Sequence, residues 1–169
     1  RTEWVSFIGR KDYLLENKRY VVVYTLSGSH YIYTLAKKIA RKLDAEVINI
    51  KLGFSKVDGD DGIIHICDAG PQEFISIFNS AVYVITDSFH GTAFSINFNI
   101  PFTTLLNPAS NINSRALSIL KQTGMEERLI YDDGSNKEPS SLAVDFEPVN
   151  KVIEASRTAS LEFLRENLA

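Results

Sequence analysis

Short apolar runs of strand length alternate along this chain with segments that repeat with the period of a helix. The runs are rich in β-branched and aromatic residues and apolar at nearly every position, which is typical of parallel strands buried on both faces. Six such runs are predicted as strands, the last of them shorter than the others: 19–26, Glu46–Ile50, 63–67, 82–86, Phe102–Leu106 and 128–131.

The segments between these runs carry apolar residues on one face only, as amphipathic helices do. Helices are predicted at 31–43, from Pro71 onward, at 91–98, at Ser114–Thr123 and at 148–168. Pro71 suits the first turn of its helix, and Gly124 suits the end of the helix before it. In the final helix, five apolar residues are expected to face inward: Val149, Val152, Ile153, Phe163 and Leu164. The glycine-rich segment 53–62 is expected to be a loop.

Strands separated by helices of this length predict one α/β domain, a Rossmann-like parallel sheet of about six strands with helices on both faces. In the strand order 3-2-1-4-5-6, the first and fourth strands are neighbours whose helices leave on opposite faces. Ligands bind such sheets in the crevice beyond the carboxyl ends of these two strands. The loops 27–30 and 87–91 would flank that crevice.

The segment Asp87-Ser88-Phe89-His90-Gly91-Thr92 is the best candidate for chemistry. Asp87 or Ser88 can cap the following helix, whose first N–H groups suit a phosphate or a carboxylate. His90 falls in the first turn, where Asp87 could keep it protonated or fix its tautomer. Gly91 would let a ligand approach the backbone closely. Alternatively, Asp87 and Ser88 are only caps and His90 only fills space.

Two further helix starts are weaker candidates for binding an anion. Ser27, Gly28 and Ser29 form a small polar turn after the first strand, although many strand-to-helix turns look like this and His30 itself reads as structural. Ser114 and Arg115 begin the helix after the fifth strand, where an arginine could hold a carboxylate or phosphate with two hydrogen bonds. A solvated surface arginine is the alternative.

Composition narrows the remaining classes of function. The 169-residue chain has a net charge of −3 and no basic cluster, which argues against nucleic acid as a partner. It has no long apolar run that would span a membrane. The lone cysteine, Cys67, reads as a small core residue, and the mid-strand His65 as structural. The sequence lacks metal-ligand spacing, a nucleophile elbow and a phosphate-binding loop signature, so neither a metal nor a cofactor is expected.

The segments 70–74 and 81–95 closely resemble the polysaccharide pyruvyltransferase family, whose pattern reads "gPeeFl…nAdyViTDSFHGtaFsi…f…PF". The match continues at 98–102, at Asn113-Ser114-Arg115 and at Glu127-Arg128-Leu129. The resemblance therefore runs from about residue 20 to residue 130. The core Thr86-Asp87-Ser88-Phe89-His90-Gly91 is its most specific part. Val82 stands where the family usually has aspartate.

The resemblance implies transfer of a pyruvyl group from phosphoenolpyruvate, as donor substrate, to two hydroxyls of a sugar, giving a cyclic ketal and phosphate in bacterial exopolysaccharide synthesis. It also implies a glycosyltransferase-B-like enzyme with two Rossmann-type halves. Residues 19–169 would be the C-terminal, donor-binding half, and 1–18 a connector from a missing N-terminal half, so the isolated piece is expected to be inactive. His90 and Asp87 would be catalytic. The expected donor-binding residues are Ser88, Gly91, Thr92, Ser114, Arg115, Ser27, Gly28 and Ser29.

The acceptor would be a sugar or a lipid-linked oligosaccharide, and the expected location is the cytoplasm, including the inner face of the membrane. Two other functions stay open. One is a glycosyltransferase-B-type enzyme that uses a nucleotide sugar. The other is a binding domain that kept the fold and lost the chemistry.

Overall fold

The computed structural model describes residues 15, 18–51, 62–110 and 113–168. Six strands lie in this part of the chain: β1 (Tyr20–Tyr24), β2 (Glu46–Ile50), β3 (Ile64–Ile66), β4 (Tyr83–Thr86), β5 (Phe102–Leu106) and β6 (Leu129–Tyr131). Five α-helices accompany them: α1 (His30–Leu43), α2 (Pro71–Asn79), α3 (Phe89–Phe98), α4 (Ser114–Thr123) and α5 (Glu147–Leu168). A 3-10 turn, Glu126–Arg128, precedes β6.

The strands form one parallel sheet in the order β3-β2-β1-β4-β5-β6. This is the predicted order, in which β1 and β4 are neighbours and the chain changes direction across the sheet between them. Tyr24 of β1 pairs with Thr86 of β4, so the two strands end at the same level. The loops that follow them therefore leave from one edge of the sheet, as expected for a Rossmann-like ligand crevice.

Two apolar clusters cover the two faces of the sheet. On one face, α1 packs Ile32, Leu35 and Ile39 against the side chains of the odd-numbered residues of β1 and β4. On the other face, α2, α3 and α4 contribute to a second cluster, with Phe78, Ile96 and others fully or nearly buried. Alternate residues of each strand thus enter opposite clusters, which explains why the strands are apolar at nearly every position.

The predicted element boundaries agree closely with the structure, with small differences at several ends. β2, β5 and α4 have the predicted bounds, and Gly124 ends α4 with a φ of 67°. α3 begins two residues earlier than predicted, at Phe89. Cys67 is half-buried and lies just beyond the end of β3, so it is not a core residue within the strand. The predicted loop 53–62 lies outside the described residues except for Gly62, as does most of the predicted connector 1–18.

The prediction for the end of α5 was wrong. Val149 is buried, but Val152 is 41% exposed, Phe163 63% and Leu164 46%. The helix packs against the domain only through its first turns, and its second half has no cover among the described residues. None of the described helices combines the length and the apolar character needed to cross a membrane.

Candidate functional site

The crevice at the carboxyl ends of β1 and β4 is bordered by two strand-to-helix turns. The β1–α1 turn runs from Thr25 to Ser29, and the β4–α3 turn contains Asp87 and Ser88. The Thr86 hydroxyl joins them, because it donates to the Tyr24 carbonyl oxygen at 2.6 Å and accepts from Ser88 N at 3.0 Å. The two turns therefore form one hydrogen-bonded unit.

The start of α3 keeps its hydrogen-bond donors free. The helical ladder begins with Thr92 N donating to Ser88 O at 3.0 Å, so the N–H groups of Phe89, His90 and Gly91 lie before it. Neither a side-chain cap nor any other acceptor from the described residues meets these three groups. Three free donors and the positive end of the helix dipole are the arrangement that binds an anion.

Ser88 occupies the N-cap position of α3 but does not cap the helix with its side chain. It is 1% exposed, and its Oγ has no hydrogen-bond partner among the described residues. Nearby, burial raises the pKa of Tyr24, and the negative charge of Asp87 raises it further. A buried hydroxyl without a partner costs about 1–3 kcal/mol of stability, so its presence beside the open helix start calls for an explanation.

His90 and Arg115 flank Phe89 at this helix start. His90 is exposed, and its ring centroid lies 5.5 Å from that of Phe89. The guanidinium carbon of Arg115 lies 5.1 Å from the centre of the Phe89 ring, a cation–π distance. Arg115 is exposed and forms no ion pair within the described part of the chain, and the neighbouring Ser114 is exposed as well. The fold thus brings the predicted arginine to Phe89, the residue before the predicted histidine, across 26 positions of sequence.

Asp87 faces the β1–α1 turn and not the start of α3. Its two carboxylate oxygens accept four hydrogen bonds, all from Thr25, Leu26 and Ser27. Asp87 was expected to cap α3 and to bind His90, and none of its four hydrogen bonds does either. The structure assigns its carboxylate to holding the neighbouring turn.

Two other predicted residues serve the packing of α3. A Cβ atom on Gly91 would lie 2.2 Å from Thr86 Oγ1, so the glycine is required by the close approach of helix and strand. The Thr92 hydroxyl is fully buried, donates to Ser88 O at 3.1 Å and shares a hydrogen bond of 2.9 Å with Thr104. Their side-chain positions therefore do not face a ligand, which leaves Gly91 with its backbone N–H as the group to offer.

Most of the polar groups at the start of α1 already have partners within the chain. Ser27 N and Oγ bind Asp87, Gly28 N donates to Thr25 Oγ1 at 3.0 Å, and Ser29 Oγ caps the helix by accepting from Tyr31 N at 3.2 Å. Ser29 Oγ also donates to the Asp132 carboxylate. The expected donor-binding residues Ser27 and Ser29 thus use their polar groups internally.

Negative charge surrounds this second helix start. Burial raises the pKa of Tyr31, and the carboxylates of Glu138, Asp132 and Asp133 raise it further. Thr25, Tyr24 and Asp132 were not identified from the sequence, because their roles depend on contacts between distant segments. Within the described residues, no group of three or more His, Cys, Asp or Glu side chains is placed to hold a metal ion.

Solved structures share this fold at low sequence identity. The glycosyltransferase SnogD from Streptomyces nogalater matches with a TM-score of 0.53 and 14% identity, over 89% of this chain and 41% of that chain. The UDP-GlcNAc 2-epimerase from Methanocaldococcus jannaschii matches with a TM-score of 0.47 and 15% identity, over 91% of this chain and 41% of that one. The chain spans less than half the length of either protein. The likeness to SnogD confirms the predicted fold, a Rossmann-like domain of the glycosyltransferase-B type.

The comparison of sequences identifies the family. No protein with a curated description matches. The family model described as polysaccharide pyruvyl transferase matches residues 2–108, more than half of the chain and including the whole β4–α3 turn. The chain therefore belongs to the polysaccharide pyruvyl transferase family.

Proposed function

We propose that this chain supplies the donor-binding domain of an enzyme that transfers a pyruvyl group from phosphoenolpyruvate to two hydroxyls of a sugar, forming a cyclic ketal. The observation that carries the proposal is the open start of α3, where three N–H groups and the buried Ser88 hydroxyl lack partners from the described residues. The family supports a pyruvyl transferase in general; the donor and the acceptor are part of the proposal.

The charges at the α3 start suit phosphoenolpyruvate, a small molecule with a phosphate and a carboxylate. The free N–H groups of Phe89, His90 and Gly91 would accept one of these anions, as helix starts commonly do. Arg115, held against the Phe89 ring, would form two parallel hydrogen bonds with the other. Both contacts are fixed before the donor arrives, which favours electrostatic stabilisation of the reaction.

The reaction requires a proton at the enol carbon, which converts the CH2 group to CH3 and leaves a cationic centre at the neighbouring carbon. The first sugar hydroxyl attacks this centre and loses its proton. The bond between carbon and phosphate oxygen then breaks, and the second hydroxyl attacks the same carbon and closes the ring. Of the two protons that the hydroxyls give up, one balances the proton on the enol carbon and the other leaves on phosphate. In this proposal His90, which is exposed at the helix start, would give a proton to the departing phosphate.

A nucleotide-sugar donor would need room for a second phosphate, and the neighbouring helix start is a poor place for it. Asp87 and Asp132 already occupy the N–H and hydroxyl groups there, and Asp133 adds a further negative charge. Repulsion between like charges disfavours another anion at this position. The crevice therefore favours a donor with a single phosphate.

The acceptor would be bound by a second domain, as in an enzyme built from two Rossmann-type halves, so the isolated domain would bind the donor without transferring it. A non-catalytic binding domain of this fold is the competing function. It differs in one measurable respect, because a full-length protein of that kind would bind phosphoenolpyruvate without forming ketal.

A titration calorimetry series with this chain tests the proposed donor. Phosphoenolpyruvate, UDP-GlcNAc and a CMP-sugar are each titrated into the same preparation, with inorganic phosphate as the control for a nonspecific anion. We expect saturable binding of phosphoenolpyruvate, tighter than that of phosphate, and much weaker binding of both nucleotide sugars. Saturable binding of a nucleotide sugar with no heat from phosphoenolpyruvate would contradict the proposal.

A further inference from the structure

We infer that Asp87 is a positioning residue, which holds the β1–α1 turn against the start of α3 and thereby shapes the donor site without exchanging a proton with the donor. This inference rests on the proposed function for its kinetic consequences, while its structural part stands on the geometry alone.

Both oxygens of the Asp87 carboxylate are engaged by the β1–α1 turn. One oxygen accepts from Leu26 N at 2.7 Å, and the other accepts from Thr25 Oγ1 at 2.7 Å and from Ser27 N at 2.9 Å and Ser27 Oγ at 2.5 Å. An ionised carboxylate offers about four lone-pair sites, two on each oxygen, so the crowded oxygen is fully used and the other keeps one free site. All four of these bonds go to the β1–α1 turn, and none goes to His90.

The donors come from three consecutive residues of a turn that has little else to hold it. Leu26 is 61% exposed and Ser27 and Gly28 are exposed, so apolar packing contributes little there. The same network continues into the turn, because Gly28 N donates to Thr25 Oγ1 at 3.0 Å and Ser29 N to Ser27 Oγ at 3.4 Å. Removing the carboxylate would therefore release the whole turn and not one residue.

The turn matters for the proposed donor site because it lies beside the start of α3 at the same edge of the sheet. The Thr86 hydroxyl links the end of β1 to Ser88 N. Asp87, which directly precedes Ser88, holds the β1–α1 turn through its carboxylate. The position of the α3 start relative to the β1–α1 turn thus depends on Asp87. Charge-assisted hydrogen bonds of this kind are the strong ones in proteins, and several act together here.

Asp87→Asn and Asp87→Ala, measured in the full-length enzyme, separate positioning from proton transfer. An asparagine keeps one accepting oxygen, and its amide can donate to the Thr25 and Ser27 hydroxyls after these rotate. We expect Asp87→Asn to raise the KM for phosphoenolpyruvate roughly tenfold with kcat within about threefold of wild type. Asp87→Ala should raise this KM roughly 100-fold, and the pH dependence of kcat should keep its shape in Asp87→Asn.

Two kinetic results would overturn the inference. If Asp87→Asn loses as much kcat as Asp87→Ala and one limb of the pH profile disappears, Asp87 takes part in proton transfer. If both variants melt at a lower temperature but keep the wild-type KM and kcat, the tether is only structural.

Hydrogen exchange at the Leu26 and Ser27 amides gives a readout that needs no substrate. Wild type should protect both amides, and Asp87→Ala should remove most of this protection while the β1 amides stay protected. Unchanged exchange in Asp87→Ala would overturn the tether. A wild-type enzyme that does not use phosphoenolpyruvate would instead defeat the proposed function, and the tether would then be judged by hydrogen exchange.

Discussion

The starts of α1 and α3 lie side by side at one edge of the sheet, but they differ in whether their hydrogen-bonding groups have partners. At the start of α1, Ser29 caps the helix and Asp87 and Asp132 occupy the hydroxyls around it. At the start of α3, Ser88 leaves its hydroxyl unused and the next three N–H groups lack acceptors within the described residues. The fold uses most of the polar groups at one helix start and leaves those at the other open to a ligand.

This difference is the reason why we propose the start of α3, and not that of α1, as the donor site. Each buried polar group without a partner costs about 1–3 kcal/mol, and such costs collect at sites that bind ligands. The exposed His90 lies at the same open start, and so does Arg115, which forms no ion pair with another described residue. The acidic side chains lie at the closed one.

The largest expected effect is on catalysis by His90. His90→Ala should lower kcat roughly 100- to 10,000-fold in the full-length enzyme, because general acid catalysis contributes about that much. His30→Ala is the matched control, since His30 is an exposed histidine in the first turn of the closed helix start. Steady-state assays of phosphate release check both variants. Equal activity in the two variants would remove His90 from the mechanism.

Glycine substitutions compare how tightly the two turns are packed. Gly91→Ala should destabilise the domain by about 3 kcal/mol or more, because its Cβ would overlap the Thr86 side chain, with Oγ1 only 2.2 Å away. Gly28→Ala should cost only about 1–2 kcal/mol, since Gly28 has open space around it and only a φ of 65° to strain an alanine. Urea unfolding followed by circular dichroism measures both. A smaller loss for Gly91→Ala than for Gly28→Ala would contradict the packing described for α3.

Arg115 should contribute to donor affinity and not to folding. Arg115→Ala is expected to weaken phosphoenolpyruvate binding roughly 10- to 100-fold, because a charge-assisted pair of hydrogen bonds is lost. Arg115→Lys keeps the charge but not the planar fork, so it should fall between wild type and alanine. Titration calorimetry measures the affinities, and thermal melting controls for folding. Wild-type affinity in Arg115→Ala would mean that this arginine is only a surface residue.

Serine-to-alanine changes give the most direct comparison of the two N-cap positions. Ser29→Ala should cost about 1 kcal/mol of stability, the usual price of losing a cap, and leave phosphoenolpyruvate binding unchanged. Ser88→Ala should leave stability the same or slightly higher, because it removes a buried hydroxyl that has no partner, and should weaken binding. Chemical unfolding and calorimetry on both variants test this. The opposite pattern would reverse the assignment of the two helix starts.

The smallest expected effect concerns the Tyr24 hydroxyl beside Asp87. Burial and then the Asp87 charge raise the pKa of Tyr24 in the folded state. The folded state therefore holds its proton longer than the unfolded state, so this tyrosine leaves stability unaffected below about pH 10 and lowers it as the pH rises further. Ultraviolet titration of the phenolate should show a lower pKa for Tyr24 in Asp87→Asn. A titration unchanged by that substitution would contradict the stated proximity of the two charges.

Much of the fold follows from local pattern. The strand order and the position of the crevice could be predicted because apolar strands alternate with amphipathic helices, and such chains adopt few arrangements. The end of α5 could not, since an apolar stripe at Phe163 and Leu164 shows which face is hydrophobic but not whether this chain covers it.

The site was only partly predictable for a similar reason. The α3 start, His90 and Arg115 follow from one motif and from the sheet topology. The partners of Asp87 lie 60 to 62 positions away in sequence, so its role as a tether became visible only in three dimensions. Gly91 shows the same limit, because a glycine beside a helix start suggests a close ligand whereas the structure places Thr86 there.

An NMR titration of the ¹⁵N-labelled chain with phosphoenolpyruvate tests the central claim most directly, because it reports on both helix starts at once. The amide signals of Phe89, His90 and Gly91 should shift in a saturable way, while those of Ser27, Gly28 and Ser29 move much less. Saturable shifts centred on Ser27–Ser29, or no saturable shift at the start of α3, would contradict the account.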